Sequence, residues 1–258
     1  MSTTPEPGGR PLVVGDLLSE TFQDFMQNIA GYMMAGLGFF LVAMPVGMVL
    51  GFLAVFVMYG VMIGGSVVSM IAGGAIAQGS GDQDIGALIG VFGSFGSFLV
   101  AFLCLFGLIG IVGAALAPLS ASQIRAIAAH QRGEKPLEFS AAFSTFSQWM
   151  GPAIFTTGAV TVSTVIGVFF CYVGALVPAT LLTFAPYMAA IHGKGAMESL
   201  RRSSGHAMAA LGQHFVYILV YMGLSLVAAY IPVLGHAFLL ALMVRAYRRV
   251  YGDGPEPA

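Results

Sequence analysis

Five histidines are the side chains in this sequence with the widest chemical range, because a neutral imidazole can bind a metal or exchange a proton near neutral pH. Three of them, His192, His206 and His214, surround one glycine-rich break in the chain. A zinc site needs further ligands, and no acidic residue accompanies these histidines on the same helix face. We therefore expect no metal site, no cofactor and no catalytic residue.

Acidic residues are also missing from the apolar segments, where paired carboxylates would be needed for acid–base chemistry. Proton-coupled transporters usually place an ionisable group at mid-membrane, at a cost of about 2.5–3.5 kcal/mol. The one histidine that could serve, His236, follows Pro232 and Gly235 and is expected to face water at a helix end. The sequence thus predicts a protein that is not an enzyme.

Asp16, Glu20 and Asp24 recur at intervals of four residues, opposite a wide apolar face. This spacing predicts an amphipathic interfacial helix over 14–27. The acidic stripe is either a solvated face, with acids favoured near a helix N-terminus, or a docking surface. Because anionic lipid repels it, docking would be against basic segments of the same protein or a basic partner.

Four arginines are candidates for contact with anionic lipid head groups or partners, each worth about 1 kcal/mol near an anionic surface. They are Arg125, Arg201, Arg202 and Arg245. The alternative is that these side chains only set the topology. The first three are also the partners we expect for the acidic stripe.

The composition indicates a lipid environment. Of 258 residues, 58% are apolar and 8% are charged, against roughly 25% charged in soluble domains. Four charge-free segments each exceed the roughly 20 residues that cross a bilayer as helix, and backbone hydrogen bonding in lipid favours helices. These segments lie between Asp24 and Asp82, Asp84 and Arg125, Glu138 and Lys194, and Arg202 and Arg245.

The sequence therefore predicts an all-α integral membrane protein with six transmembrane helices and cytoplasmic interfacial amphipathic helices. A single membrane domain over 13–252 is expected between disordered tails at 1–12 and 253–258, the first of them cytoplasmic. Interfacial or linking segments are expected over 118–149, continuing the second span as helix to His130, and over 194–212. The predicted spans are 29–58, 86–116, 152–171, 178–191, 215–230 and 232–247.

The glycine-rich segment 61–84 is interpreted as an external loop, with a short re-entrant helix or a seventh span as alternatives. Small residues at the start of the second span, including Gly86, Gly93 and Ser97, favour close helix packing over the lining of a pore. A weak repeat of two halves is suggested because Ser19, Phe22, Phe25 and Gln27 match Ser140, Phe143, Phe146 and Gln148 at one offset.

With six spans and the N-terminus inside, all ten Lys and Arg fall on one side, as the positive-inside rule requires. Both termini are then cytoplasmic. The location expected from this pattern is the bacterial inner (plasma) membrane.

Four stretches together resemble a family of bacterial six-span proteins, which includes the membrane domain of glycerophosphodiester phosphodiesterases and its stand-alone relatives of unknown function. They are VGDLLSETFQDFMQN, QIRAIAAHQRGEKPLEFSAAFSTF, GALVPATLLTFAPYMAAIHGKGAMESLRRSSGHA and RAYRRVYG. Ala179 stands where relatives commonly have the glycine of Pro-Gly. The resemblance implies the six-span fold and no hydrolytic residues, because the phosphodiesterase barrel is missing.

Two functions from different classes are predicted. The first is a non-enzymatic scaffold or accessory subunit that binds membrane lipids or other membrane proteins, including further copies of itself, and no nucleic acid. The alternative is a transporter or flippase for a small or lipidic substrate, suggested by the glycine-rich second span and by prolines at span starts.

Overall fold

A computed structural model describes residues 12–80, 83–143, 150–169 and 173–252. The predicted tails, apart from Leu12, and Asp82, Phe146, Gln148, Trp149 and Cys171 lie outside the described residues. Every regular element in the described ranges is helical. The helices are α1 (Val14–Gln27), α2 (Ile29–Ser80), α3 (Gln83–Gln131), a 3₁₀ turn (Phe139–Ala142), α4 (Met150–Phe169), α5 (Val173–Leu182), α6 (Ala185–His192), α7 (Ala196–Ala209), α8 (Leu211–Ala228) and α9 (Pro232–Tyr251).

Four helical stretches among the described residues are long and apolar enough to cross a membrane. They are Ile29–Gly79, Gln83–Gln131, Gly174–His192 and Leu211–Ala228. The all-helical class expected from the sequence is thus confirmed, whereas the count of six spans and the two-half repeat stay predictions.

The largest difference from the sequence interpretation concerns residues 61–84. The expected loop is wrong over most of this segment, because α2 runs without interruption from Ile29 to Ser80, past Pro45. Glycine lowers helix propensity by about 1 kcal/mol relative to alanine, but close packing of small residues against another helix offsets that loss. Residues 61–80 contain no charged side chain that would favour an exit into water.

The chain divides into two compact units. The second unit, Met44–Val112, is a hairpin of the end of α2 and the start of α3. The two helices meet through small residues: a Cβ placed on Gly73 would lie 2.5 Å from the Gly86 carbonyl oxygen, and one on Gly93 would overlap the Ser69 Cβ. The predicted close helix packing at the start of the second span is confirmed.

The first unit contains the described residues up to Ala43 and those from Gly113 onwards. Helix α9 is central to it and packs against both α1 and α8. Val244, Ala246 and Tyr247 of α9 are fully buried. In the same unit, α4 packs against α5 and α6, and α7 packs against all three of these helices.

Helix ends in the first unit follow the sequence closely. Helix α1 has the predicted bounds, α3 continues through Pro118 as expected, and α6 ends at His192. The expected span 178–191 is divided into α5 and α6, because Pro186 lies in the first turn of α6 and has no amide hydrogen to continue the helix from α5. The chain then turns at Gly193, whose φ is +66°.

Candidate functional site

The C-terminal ends of α3, α6 and α9 converge in the first unit, and α1 joins them. We call the surface formed by these three helix ends, together with α1 docked on them, the cationic surface. Arg248 Nη1 lies 3.4 Å from Gln131 Oε1, which joins the ends of α9 and α3. His192 Nδ1 lies 2.5 Å from the Tyr247 hydroxyl, which joins the end of α6 to α9.

Helix α1 docks on α9 through two adjacent faces. Leu17, Thr21 and Phe25, spaced by four residues, are buried. The Phe25 ring meets Phe238 of α9 edge to face at 5.4 Å between centroids. This apolar contact presents the neighbouring acidic face to the arginines near the end of α9.

Two acids of the stripe form ion pairs with α9. Asp24 Oδ2 lies 2.8 Å from Arg245 Nη2, and Glu20 Oε1 lies 2.7 Å from Arg249 Nη2. Asp24 also accepts a hydrogen bond of 2.8 Å from the Tyr32 hydroxyl. The third acid, Asp16, is exposed and has no ion pair among the described residues.

The expected partners of this stripe, Arg125, Arg201 and Arg202, are therefore wrong. Helical periodicity identifies the stripe, but it contains no information on which distant helix packs beside it. Arg245 is expected from the sequence to contact lipid head groups or a partner. In the structure its side chain is 21% exposed and forms ion pairs with Asp24 and Glu20 of α1.

Arg125 lines a half-open cavity of about 510 Å³ together with Arg132, Lys135, Glu138 and Ser140. The remaining walls are apolar and come from alanines of α3, from Pro136 and from Ile191. The formal charge of the lining side chains is +2, since three cations face one carboxylate. Ligand sites in proteins commonly have volumes of 300–1,000 Å³.

The end of α3 determines where these cations lie. Gly133 has φ +74°, its N–H donates to the His130 carbonyl at 2.8 Å, and the Glu134 N–H donates to the Ala129 carbonyl at 3.0 Å. This is the Schellman arrangement, in which a left-handed glycine ends the helix. The chain then reverses, so that Lys135 and Pro136 return beside the last turns of α3.

Hydrogen bonds orient both arginines of the cavity. Arg125 Nε donates to the carbonyl of Ala190 near the end of α6. Arg132 holds Glu134 through two bonds, of 2.5 Å from Nε and 3.0 Å from Nη2, and this pairing lowers the pKa of the exposed Glu134 carboxyl. Lys135 is exposed and has no ion pair with a described residue.

Arg201 and Arg202 lie on α7. Arg202 forms an ion pair of 3.0 Å with Glu198, one helical turn earlier. Arg201 is exposed and has no ion pair within the described ranges, and Met197 and Met208 beside it are 69% and 67% exposed. This face of α7 therefore presents one cation between two large apolar side chains.

The sequence analysis missed a buried polar pair between α2, α3 and α9. Gln123 is 1% exposed, donates a hydrogen bond of 2.7 Å to the Ala35 carbonyl and lies 3.2 Å from His236 Nε2. The His236 ring stacks on Phe39 at 4.4 Å. The expectation that His236 faces water is wrong, and a search confined to charged residues could not find an uncharged glutamine.

The other histidines near the cationic surface lie among aromatic rings. The His206 ring is 5.5 Å from His214 and 5.0 Å from Tyr251. Within the described residues, no group of three or more His, Cys, Asp or Glu side chains is arranged to hold a metal ion. The expectation of no metal site stays a prediction.

Comparisons of the chain with protein-family models, with curated proteins and with solved structures found no match. The resemblance to six-span bacterial proteins stays a prediction.

Proposed function

We propose that this chain is a non-enzymatic, multi-pass protein of the bacterial inner membrane that acts as a scaffold or accessory subunit. It binds membrane lipids or other membrane proteins, with copies of itself among the candidate partners. Both termini lie in the cytoplasm, and the cationic surface faces the cytoplasmic side.

The observation that carries this proposal is that the C-terminal ends of α3, α6 and α9 meet at the cationic surface. The contacts of Arg248 with Gln131 and of His192 with Tyr247 hold the ends of α3, α6 and α9 together. If only the four apolar stretches crossed the bilayer, the ends of α3 and α6 would lie on opposite sides. Crossings by α4 and α9, each of 20 residues, place these ends on the same side.

The uncovered apolar surface supports the membrane location. In the most apolar 18 residues of α2 and of α3, only 6% are buried within the protein. Soluble monomers rarely expose continuous apolar patches of more than a few hundred Å². Lipid tails or other apolar helices are therefore the environment in which this surface is stable.

Extraction from membranes in a mild detergent, followed by native mass spectrometry, tests the proposal. We expect the protein to retain anionic phospholipid or to co-purify with a membrane protein or a second copy. A clean monomer that carries neither would contradict it.

The transporter alternative is favoured by one observation, the Gln123–His236 pair inside a helix bundle. A substrate pathway at this pair predicts that cysteines at positions 123 and 236 react with water-soluble thiol reagents. Protection of both positions from either side of the membrane would contradict transport through this region and would leave the pair as a packing contact.

A further inference from the structure

We propose that the cavity beside the end of α3 is a binding site for a phosphate group carried by a membrane lipid or by a soluble ester. We call it the phosphate pocket and define it by Arg125, Arg132, Lys135 and Ser140. This inference deepens the proposed function, because it assigns lipid binding to one defined site.

The first argument is electrostatic. Among the described residues, three cations and one carboxylate, Glu138, line the half-open cavity, and a second carboxylate, Glu134, pairs with Arg132, so the cations still outnumber the acids. Charges of the same sign repel each other more strongly beside the low-dielectric interior of a protein than in bulk water. An anion bound between the cations offsets this repulsion, because it attracts each of them.

The second argument is geometric. Guanidinium groups bind phosphate oxygens through paired N–H donors, and an ammonium group adds a mobile point charge. Arg125 is oriented by the Ala190 carbonyl and Arg132 by Glu134, so both guanidinium groups are held in place before a ligand arrives. Because Glu134 engages the Nε and Nη2 donors of Arg132, Arg132 contributes its charge and position to the pocket, and Arg125 is the arginine that binds the phosphate oxygens. Lys135 lines the cavity, is exposed and has no ion pair with a described residue.

The third argument concerns the walls and the position of the pocket. Alanines of α3 and the Ile191 side chain form an apolar wall behind the cations. This combination suits the phosphate and glycerol portion of a lipid, whose polar end meets the cations and whose carbon atoms meet the wall. The pocket also lies between the ends of α3 and α6, where those helices meet the cytoplasmic interface in the proposed topology.

The test compares Lys135→Gln with Arg201→Gln. Both substitutions remove one exposed cation that has no ion pair among the described residues, but only Lys135 lines the pocket. Full-length protein in detergent is titrated with phosphatidic acid, with phosphatidylcholine and separately with glycerol 3-phosphate, and binding is followed by native mass spectrometry. We expect Lys135→Gln to weaken binding of phosphatidic acid about fivefold and Arg201→Gln to leave it unchanged, since one cation near an anionic surface is worth about 1 kcal/mol.

Binding of glycerol 3-phosphate that is sensitive to Lys135→Gln, without lipid binding, would support the pocket and identify a soluble ester as its ligand. Equal losses in the two variants would overturn the inference, because the effect would then come from surface charge in general. Retention of lipid by all variants alike would also overturn it while leaving the proposed function standing. If no lipid and no protein partner is retained by the wild type, the proposed function fails as well.

Discussion

Replacement of Asp24 by asparagine keeps the shape of the side chain and removes the charge that holds α1 on α9. Asp24 and Arg245 are only 19% and 21% exposed, and Asp24 Oδ2 lies 2.8 Å from both Arg245 Nη2 and the Tyr32 hydroxyl. Removal of one member of a fully buried ion pair costs about 3–5 kcal/mol, because the other charge is left unpaired. With about a fifth of each side chain exposed, and with Glu20 Oε2 still 3.6 Å from Arg245 Nη1, we expect a smaller loss of about 2 kcal/mol in the free energy of unfolding.

Glu20 supplies the matched control, because it lies on the same stripe and pairs with the same helix. Its side chain is 46% exposed, and exposed ion pairs contribute about 0.2–1 kcal/mol. Unfolding by SDS in mixed micelles measures both variants. The double variant with Arg245→Gln should be no less stable than Asp24→Asn alone, so that the coupling energy equals the cost of Arg245→Gln alone, which we expect to exceed about 1 kcal/mol. Equal, small effects of Asp24→Asn and Glu20→Gln would refute the reasoning.

Two further predictions use the same unfolding assay. Gly73→Ala should destabilise the hairpin by about 1–3 kcal/mol, because the new Cβ meets the Gly86 carbonyl. Gly74→Ala is the control: position 74 faces open space, so this change should be neutral or slightly stabilising. Equal effects of the two changes would contradict close packing of α2 against α3. Gln123→Leu should cost about 1–3 kcal/mol, because it removes the glutamine's hydrogen bonds to the His236 ring and to the Ala35 carbonyl. His236→Phe added to it should recover part of that loss, and an undiminished loss in the double variant would contradict a shared hydrogen bond.

The bounds of several helices in this protein could be predicted from the residues of those helices alone. The four-residue spacing of Asp16, Glu20 and Asp24 predicts α1 with its observed bounds, because the apolar and acidic faces both repeat with the helical period. The break at Gly193 was also predictable, since glycine adopts positive φ at little cost. The absence of charge over long segments predicts apolar helices.

The partners of these elements were not predictable in the same way. Residues 61–80 are rich in glycine, which favours a loop, yet they form helix because α3 offers a surface of equally small residues. Asp24 and Arg245 are separated by 221 positions, and no periodicity connects them. Gln123 carries no charge, so a search for charged residues in the apolar segments does not find it. Its importance becomes evident only from its contacts with the Ala35 carbonyl and His236.

In the proposed topology, the ends of α3, α6 and α9 face the cytoplasm, whereas Gln83 at the start of α3 faces the opposite side of the membrane. Single cysteines at positions 83 and 201, both exposed, test it in a background where Cys104 and Cys171 are replaced by alanine. In intact spheroplasts, a membrane-impermeant maleimide should label Gln83→Cys and leave Arg201→Cys unreacted, with the reverse in inverted vesicles. Labelling of both positions from the same side would contradict the account.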